Sequence, residues 1–230
     1  MARPRGVIKL QGTINGITFV NSKRYKPHTR AARGTNKKAK VNETLRRNAD
    51  NASKVTSLGS PVLRELKALE KGFAAGDLWS RMTACMFKAR STKVEDLLES
   101  IRSIEVNEQY AFAKLFPALP RFEFYLKKNK LLIEMELSSH ARFSKEVNAG
   151  CYLCELCVLF LDGKGSCNSD KMETEWISLK GALGVYLFEF EMPKGARYFL
   201  VTAGVKGGKD EREVERFGAR GWRVCGWGKG

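Results

Sequence analysis

The sequence predicts an α+β fold with an N-terminal β-hairpin and basic arm, a helical middle segment and a C-terminal antiparallel β-sandwich. The first acidic residue is Glu43, so residues 1–42 contain eleven lysines and arginines and no carboxylate side chain. Apolar residues then recur at helical spacing, and later they alternate in short segments separated by turn residues. We expect the three parts to span residues 1–41, 42–107 and 118–230.

The strongest local pattern is an alternating segment, residues 7–20, which is interrupted by Asn15-Gly16. Leu10 and Ile14 alternate with polar residues before this interruption. Both Asn and Gly tolerate the positive φ of a type I′ turn, so the pattern predicts a two-residue hairpin. Because a lone hairpin is only marginally stable, we expect this one to dock on another surface.

Residues 22–40 lose the apolar periodicity and are expected to form an extended arm that is disordered without a partner. Its positive charge predicts a polyanionic partner, and Tyr25 could stack on bases. A solvated tail or an acidic protein surface would account for the same charges. The predicted nucleic-acid or polyanion contacts are Arg3, Arg5, Lys23, Arg24, Tyr25, Lys26, Arg30, Arg33, Lys37, Lys38, Lys40, Arg46 and Arg47.

Helical periodicity over residues 42–105 predicts three or four helices. We expect the first helix to end at Gly59. The Ser-Pro pair at residues 60–61 would then open a second helix, since serine caps helices and proline is favoured at the first helical position. Asp77 and Thr92 are predicted to cap two further helices.

Alternating segments separated by turn residues predict six or seven antiparallel strands in a sandwich or barrel. These segments are residues 122–126, 131–137, 151–161, 174–180, 184–191, 197–205 and 222–227. The pairs Glu134/Glu136 and Glu189/Glu191 alternate with apolar residues, which predicts a solvated strand face. The glycine-rich residues 204–209 are predicted to form a hairpin turn. The pattern leaves open whether helices and strands form one domain or two.

Cys151, Cys154 and Cys157 have a spacing that is compatible with a metal or cluster site. They lie in a predicted strand, where positions three apart face opposite sides, so we expect Cys154 to point away from the other two. Only His28 and His140 could act as histidine bases, and no phosphate-loop, zinc-peptidase or hydrolase motif is present. We therefore expect no metal, no cofactor and a non-enzymatic function.

The apolar stretches of the sequence are shorter than the roughly 18 to 20 residues that a membrane-spanning helix requires. The basic N-terminus is not followed by the apolar stretch of a secretory signal. We therefore expect a cytoplasmic protein with no membrane partner, in which the six cysteines are reduced thiols.

The pattern GVIKLQGTINGITF at residues 6–19, followed by a basic stretch and LRRN at residues 45–48, resembles an uncharacterised family of Bacteroidota proteins. The resemblance covers residues 5–55 and is only architectural beyond them. It implies a glycine-punctuated hairpin, a basic linker, a helical middle and a strand-rich end, without an activity or site residues. The chain departs from the family pattern at residues 23–27, KRYKP, where a glycine-containing turn is expected.

Two functional hypotheses follow from these patterns. A basic extended arm in front of a β-sandwich is the plan of many viral coat and nucleoprotein subunits. On this fold-level analogy, the leading hypothesis is a structural subunit of a homo-oligomer or larger assembly, of phage or mobile-element origin and located in the virion in that case. The alternative is a monomeric nucleic-acid-binding or ribosome-associated factor, whose binding would be electrostatic and weakly sequence-specific.

Overall fold

The computed structural model describes residues 12–15, 17–20, 28–31, 42–69, 71–163 and 165–230. It divides into two compact units, Met1–Arg46 and Arg47–Gly230. Helices occur together with antiparallel sheets, so the predicted α+β class is confirmed. The helices from Arg47 onwards and the C-terminal strands belong to the same compact unit.

The first unit contains a three-stranded antiparallel sheet of β1 (Gly12–Ile14), β2 (Ile17–Val20) and β3 (His28–Ala31). Ile14 lies opposite Ile17, and Asn15 between them has a φ of 49°, in the left-handed region that asparagine tolerates. The sequence did not predict β3, which pairs with β2. The rest of the predicted arm, residues 21–27 and 32–41, and the predicted hairpin residues 7–11 lie outside the described residues.

The described residues form four helices: α1 (Glu43–Ala68), α2 (Leu78–Lys88), α3 (Val94–Ile101) and α4 (Phe112–Leu115). The predicted break between Gly59 and Pro61 is wrong, because α1 continues through both residues. A Cβ at Gly59 would lie 3.1 Å from Cζ3 of Trp79, so this glycine permits close packing. Both Gly59 and Pro61 are buried, and their tertiary packing compensates for the backbone hydrogen bond that proline removes.

The helix starts differ in detail from the predicted caps. Asp77 is the N-cap of α2, but its carboxylate makes no capping hydrogen bond and pairs instead with the Arg81 guanidinium at 3.3 Å. Before α3, the Ser91 hydroxyl rather than Thr92 accepts the backbone N–H of Lys93, at 3.1 Å. The predicted residue therefore stabilises the start of α2 through an ion pair, and the residue before the predicted one stabilises the start of α3.

The second unit also contains strands β4 (Arg121–Lys127), β5 (Lys130–Glu136), β6 (Cys151–Leu161), β7 (Cys167–Glu173), β8 (Ile177–Ser178), β9 (Val185–Glu191), β10 (Tyr198–Lys209), β11 (Arg212–Glu213) and β12 (Arg220–Lys229). The central sheet has the order β11-β10-β6-β7, with β12 paired to β10 and β8 paired to β6. The outer sheet has the order β4-β5-β9.

Three predictions about these strands need correction. The predicted strand at residues 174–180 is wrong over most of its length, because only Ile177–Ser178 form β8. The sequence did not predict β7, whose exposed polar residues hide the alternating pattern. The predicted turn at residues 204–209 is wrong, because β10 continues to Lys209 and the turn follows at Asp210 and Glu211, with φ values of 51° and 59°. A side chain at Gly204 would overlap the Trp222 ring, so this glycine allows close packing inside a strand.

The central sheet is covered on both faces. On one face, Leu159 and Trp222 share a hydrophobic cluster with residues of α1, α2 and α3, including Leu98. On the other face, Val201 shares a cluster with residues of the outer sheet, including Phe190. Every residue of β6 is buried, which explains its continuous apolar sequence.

Among the residues that the structure describes, the outer sheet is covered on one face only. Ile133 on β5 and Phe188 on β9 are buried towards the central sheet, whereas their neighbours Glu134 and Leu187 lie on the opposite face. This alternation is the solvated strand face that the glutamate pairs predicted.

Candidate functional site

Three of the predicted polyanion-binding residues are described by the structure, and all three are exposed: Arg30, Arg46 and Arg47. Arg30 lies on β3, and the other two lie in the first turns of α1. The remaining predicted residues lie outside the described part of the chain: Arg3, Arg5, Lys23, Arg24, Tyr25, Lys26, Arg33, Lys37, Lys38 and Lys40.

The small sheet of the first unit has a polar face and an apolar face. Arg30 lies opposite Thr18 on the polar face, where the Thr13 and Thr18 hydroxyls are 2.9 Å apart. Ile14 and Ile17 lie on the other face and are 57% and 47% exposed. Since a small isolated sheet is marginally stable, this apolar face indicates an interaction surface.

The first turns of α1 form an exposed segment that carries Arg46 and Arg47 together with Glu43 and Asp50. Residues 42–50 are exposed at every position, and the apolar side chain of Leu45 is 54% exposed. Asn42 Oδ1 accepts the backbone N–H of Leu45 at 2.8 Å and caps the helix. Burial begins at Val55, so Arg46 and Arg47 lie on a helical segment that the core does not cover.

The three cysteines of the predicted cluster lie on β6, as the strand prediction requires. Cys154 belongs to the core between the two sheets, whereas Cys157 belongs to the core under the helices. Burial raises the pKa of the Cys157 thiol to about 12 and also raises the pKa of Cys154, so their reactive thiolate forms are disfavoured. Among the described residues, no group of three or more His, Cys, Asp or Glu side chains is arranged to hold a metal ion.

His140 connects a loop to the central sheet. Its Nδ1 lies 3.2 Å from the Tyr152 hydroxyl, and its Nε2 lies 3.1 Å from the Gly181 carbonyl oxygen. The Gly181 carbonyl can only accept, so Nε2 carries the proton and Nδ1 accepts from Tyr152. Burial raises the pKa of Tyr152, which keeps the phenol protonated as that donor.

Glu155, which sequence reasoning did not single out, is the most unusual polar residue of the central sheet. It is completely buried in the middle of β6, on the face that carries Cys157. Its carboxylate pairs with the ammonium groups of Lys171 on β7 and of Lys206 on β10, the latter at 2.9 Å. Two lysines therefore compensate one carboxylate inside the sheet.

Opposite charge stabilises this buried pairing. Each oxygen of Glu155 lies within ion-pair distance of a lysine ammonium group, that of Lys206 at 2.9 Å. The ammonium groups need no precise alignment, so Coulomb attraction at low effective dielectric stabilises the carboxylate. A single acid inside the apolar run of residues 151–161 was the sequence signal for this cluster.

In the part of the chain that the structure describes, no helix is both long enough and apolar enough to cross a membrane.

Comparisons with protein-family models, with curated proteins and with solved structures gave no match. The resemblance of the N-terminal residues to a Bacteroidota family therefore stays a prediction.

Proposed function

We propose that the chain is a non-enzymatic structural subunit of a larger assembly, and that its basic N-terminal segment contacts nucleic acid or neighbouring subunits. On this proposal the protein is of phage or mobile-element origin and is located in the cytoplasm or, once assembled, in a virion. The two stacked sheets would serve as a β-sandwich scaffold, by analogy with coat subunits.

The observation that carries the proposal is the separation of charge along the chain. Eleven lysines and arginines precede Glu43, whereas the whole chain has 41 lysines and arginines and 25 acids. Self-repulsion makes such a segment costly for a monomer, and a partner surface of opposite charge removes that cost. The exposed Arg46 and Arg47 extend the same charge onto α1.

The non-enzymatic part of the proposal is supported by the surroundings of the reactive side chains. Cys154 and Cys157 lie in two separate cores, and His140 makes hydrogen bonds through both ring nitrogens. Catalytic bases and nucleophiles usually lie in clefts within reach of a substrate. The described positions of these three residues fit structural roles better.

Light scattering of the full-length protein over a wide range of concentrations tests the assembly proposal. We expect the weight-average mass to rise with protein concentration, and to rise further when nucleic acid is added at low salt. A protein that is monomeric under every one of these conditions would contradict the proposal.

A monomeric nucleic-acid-binding factor is the second candidate function, and the exposed Arg46 and Arg47 on α1 favour it. Mobility shift at two salt concentrations should then show a monomer whose affinity falls steeply with salt. Arg46→Gln with Arg47→Gln should reduce the salt slope by about two. The matched control is Lys145→Gln with Lys180→Gln, which removes two exposed charges outside the basic segment. If both pairs of substitutions reduce the salt slope equally, Arg46 and Arg47 on α1 make no specific contact with the nucleic acid.

A further inference from the structure

The outer face of the outer sheet carries a defined pattern of side chains. The strand registers place these side chains in four rows across β4, β5 and β9, with the core-facing residues between the rows. The four rows are Lys127, Lys130, Glu191; Tyr125, Leu132, Glu189; Glu123, Glu134, Leu187; and Arg121, Glu136, Val185.

Apolar side chains form a continuous stripe across this face. Tyr125 lies directly opposite Leu132, and Leu132 lies diagonal to Leu187, which is two residues from Val185 on the same strand. Leu187 is 75% exposed, and Tyr125 and Val185 are about half exposed. Single exposed apolar residues are normal on a protein surface, but a stripe across three strands indicates an interaction surface.

Glutamates surround the stripe, and some of them face each other. Glu123 on β4 is directly opposite Glu134 on β5, and like charges in that position destabilise a sheet. Among the described residues, Glu134 and Glu136 have no ion-pair partner, whereas Glu189 pairs with Lys130. The face carries five glutamates against Arg121, Lys127 and Lys130, and it lies on a chain whose net charge is +16.

The Tyr125 hydroxyl also indicates that negative charge is concentrated on this face. It donates to Glu123, and this hydrogen bond raises the pKa of Tyr125. A phenol proton thus stabilises Glu123, whereas Glu134, opposite it, has no such donor among the described residues. A cationic partner would neutralise the remaining negative charge of this face.

The N-terminal segment, residues 1–42, has the complementary chemistry. It contains eleven cations and no acid, and its described strands expose Ile14 and Ile17 side by side. A polyanion such as nucleic acid would be repelled by the glutamates of the outer face. An acid-free segment with exposed isoleucines matches both the charge and the apolar stripe.

We propose that the outer face of the outer sheet binds the N-terminal segment, residues 1–42, of a second copy of the chain. The proposal rests on the proposed function, since it names the contact by which subunits would associate. Each copy carries one segment and one acceptor face, so the contact is head-to-tail and can extend to further copies or close into a ring.

Sedimentation velocity of full-length variants tests this contact at about 50 mM and about 500 mM salt. The face variant is Glu134→Lys with Glu136→Lys, and its matched control is Glu175→Lys with Glu215→Lys, two exposed glutamates outside the outer sheet. We expect the face variant to weaken association by about tenfold at low salt, and the control by less than about twofold. Leu187→Ser should also weaken association, with an effect that persists at high salt.

A segment variant, Lys37→Glu with Lys38→Glu and Lys40→Glu, tests the other side of the contact. Alone it should associate as weakly as the face variant. Mixed together, the two variants should form a hetero-oligomer, because the intact segment of one can bind the intact face of the other. A hetero-oligomer therefore supports exchange between copies, and its absence overturns the proposal.

The outcomes separate this proposal from the proposed function. If the wild type assembles and the face variant assembles equally well, the docking face is wrong while the assembly proposal stands. If the wild type is monomeric at all concentrations, with and without nucleic acid, the proposed function itself fails. If the face variant and its control weaken association equally, the effect is one of net charge, and the docking face is again wrong.

Discussion

In the central sheet every residue of β6 is buried, whereas in the outer sheet every second residue of β5 and β9 lies on the outer face. The two sheets share one hydrophobic core, yet they accommodate charge in different ways. The central sheet surrounds Glu155 with two lysines, while the outer sheet leaves Glu134 and Glu136 without an ion pair among the described residues. The comparison shows that a charged side chain needs ion-pair partners in a sheet that is covered on both faces, whereas solvent can stabilise it on an exposed face.

Trp222 on β12 gives the largest expected effect, because its side chain is fully buried in the core under the helices. Trp222→Ala should lower the free energy of unfolding by about 4 kcal/mol, since the lost contacts leave a large cavity. Trp222→Phe should cost much less, because the indole N–H has no hydrogen-bond partner among the described residues. Urea denaturation of both variants measures the difference, and similar losses in both would contradict the packing role.

Adjacent residues of β9 compare the two faces of the outer sheet. Phe188→Ala should cost about 3 kcal/mol, whereas Leu187→Ala should change stability by less than about 0.5 kcal/mol. Phe188 is buried against the central sheet and Leu187 lies on the outer face. The measurement is urea denaturation at low protein concentration, so that association does not contribute. A large cost at Leu187 would mean that the outer face is covered within a single chain.

A Glu→Gln substitution in each sheet compares how the two sheets stabilise a carboxylate. Glu155→Gln should destabilise by about 2 kcal/mol, because it leaves Lys171 and Lys206 near a neutral side chain. Glu134→Gln should be neutral or slightly stabilising, because it removes the repulsion from Glu123. Thermal unfolding of the two variants in the same buffer measures this difference in stability. If both substitutions had equal effects, burial would not be the deciding factor.

The smallest expected effect is the contribution of Glu105 to the pH dependence of stability. Its carboxylate accepts the backbone N–H groups of Phe112 and Ala113, and burial raises its pKa above the ordinary 4.5. The folded state therefore holds this proton more tightly than the unfolded state, and the resulting stability is lost as pH rises above 4.5 through the folded pKa. The stability of wild type minus that of Glu105→Gln should fall over this interval, and a rise would contradict the assignment.

The fold class and most of the strands could be predicted because they depend on local periodicity. Alternation located β5 and β9, and a continuous apolar run located β6. The missed strands have other origins. β7 is polar along its exposed length, and β3 has no periodic pattern but pairs with β2. Strands of this kind are defined by their neighbours, which sequence periodicity does not report.

The candidate site was predictable only in part. The basic segment follows from composition, and the solvated glutamates follow from alternation with apolar residues. The position of Glu123 opposite Glu134, and the apolar stripe from Tyr125 to Val185, depend on the registers between three strands. No local pattern gives the register between β5 and β9, since 48 residues separate the two strands.

The sequence by itself determined the charge separation at Glu43, the α+β class and the opposite orientations of Cys154 and Cys157 on β6. These features depend on composition and on a two-residue period. Only the tertiary structure decided that α1 runs through Gly59 and Pro61, that β10 continues to Lys209, and that Glu155 is paired. In α1, packing outweighs the local penalty of about 1 to 3 kcal/mol for glycine and proline inside a helix. In β10 and at Glu155, the deciding contacts are with residues distant in the sequence, which no local pattern reports.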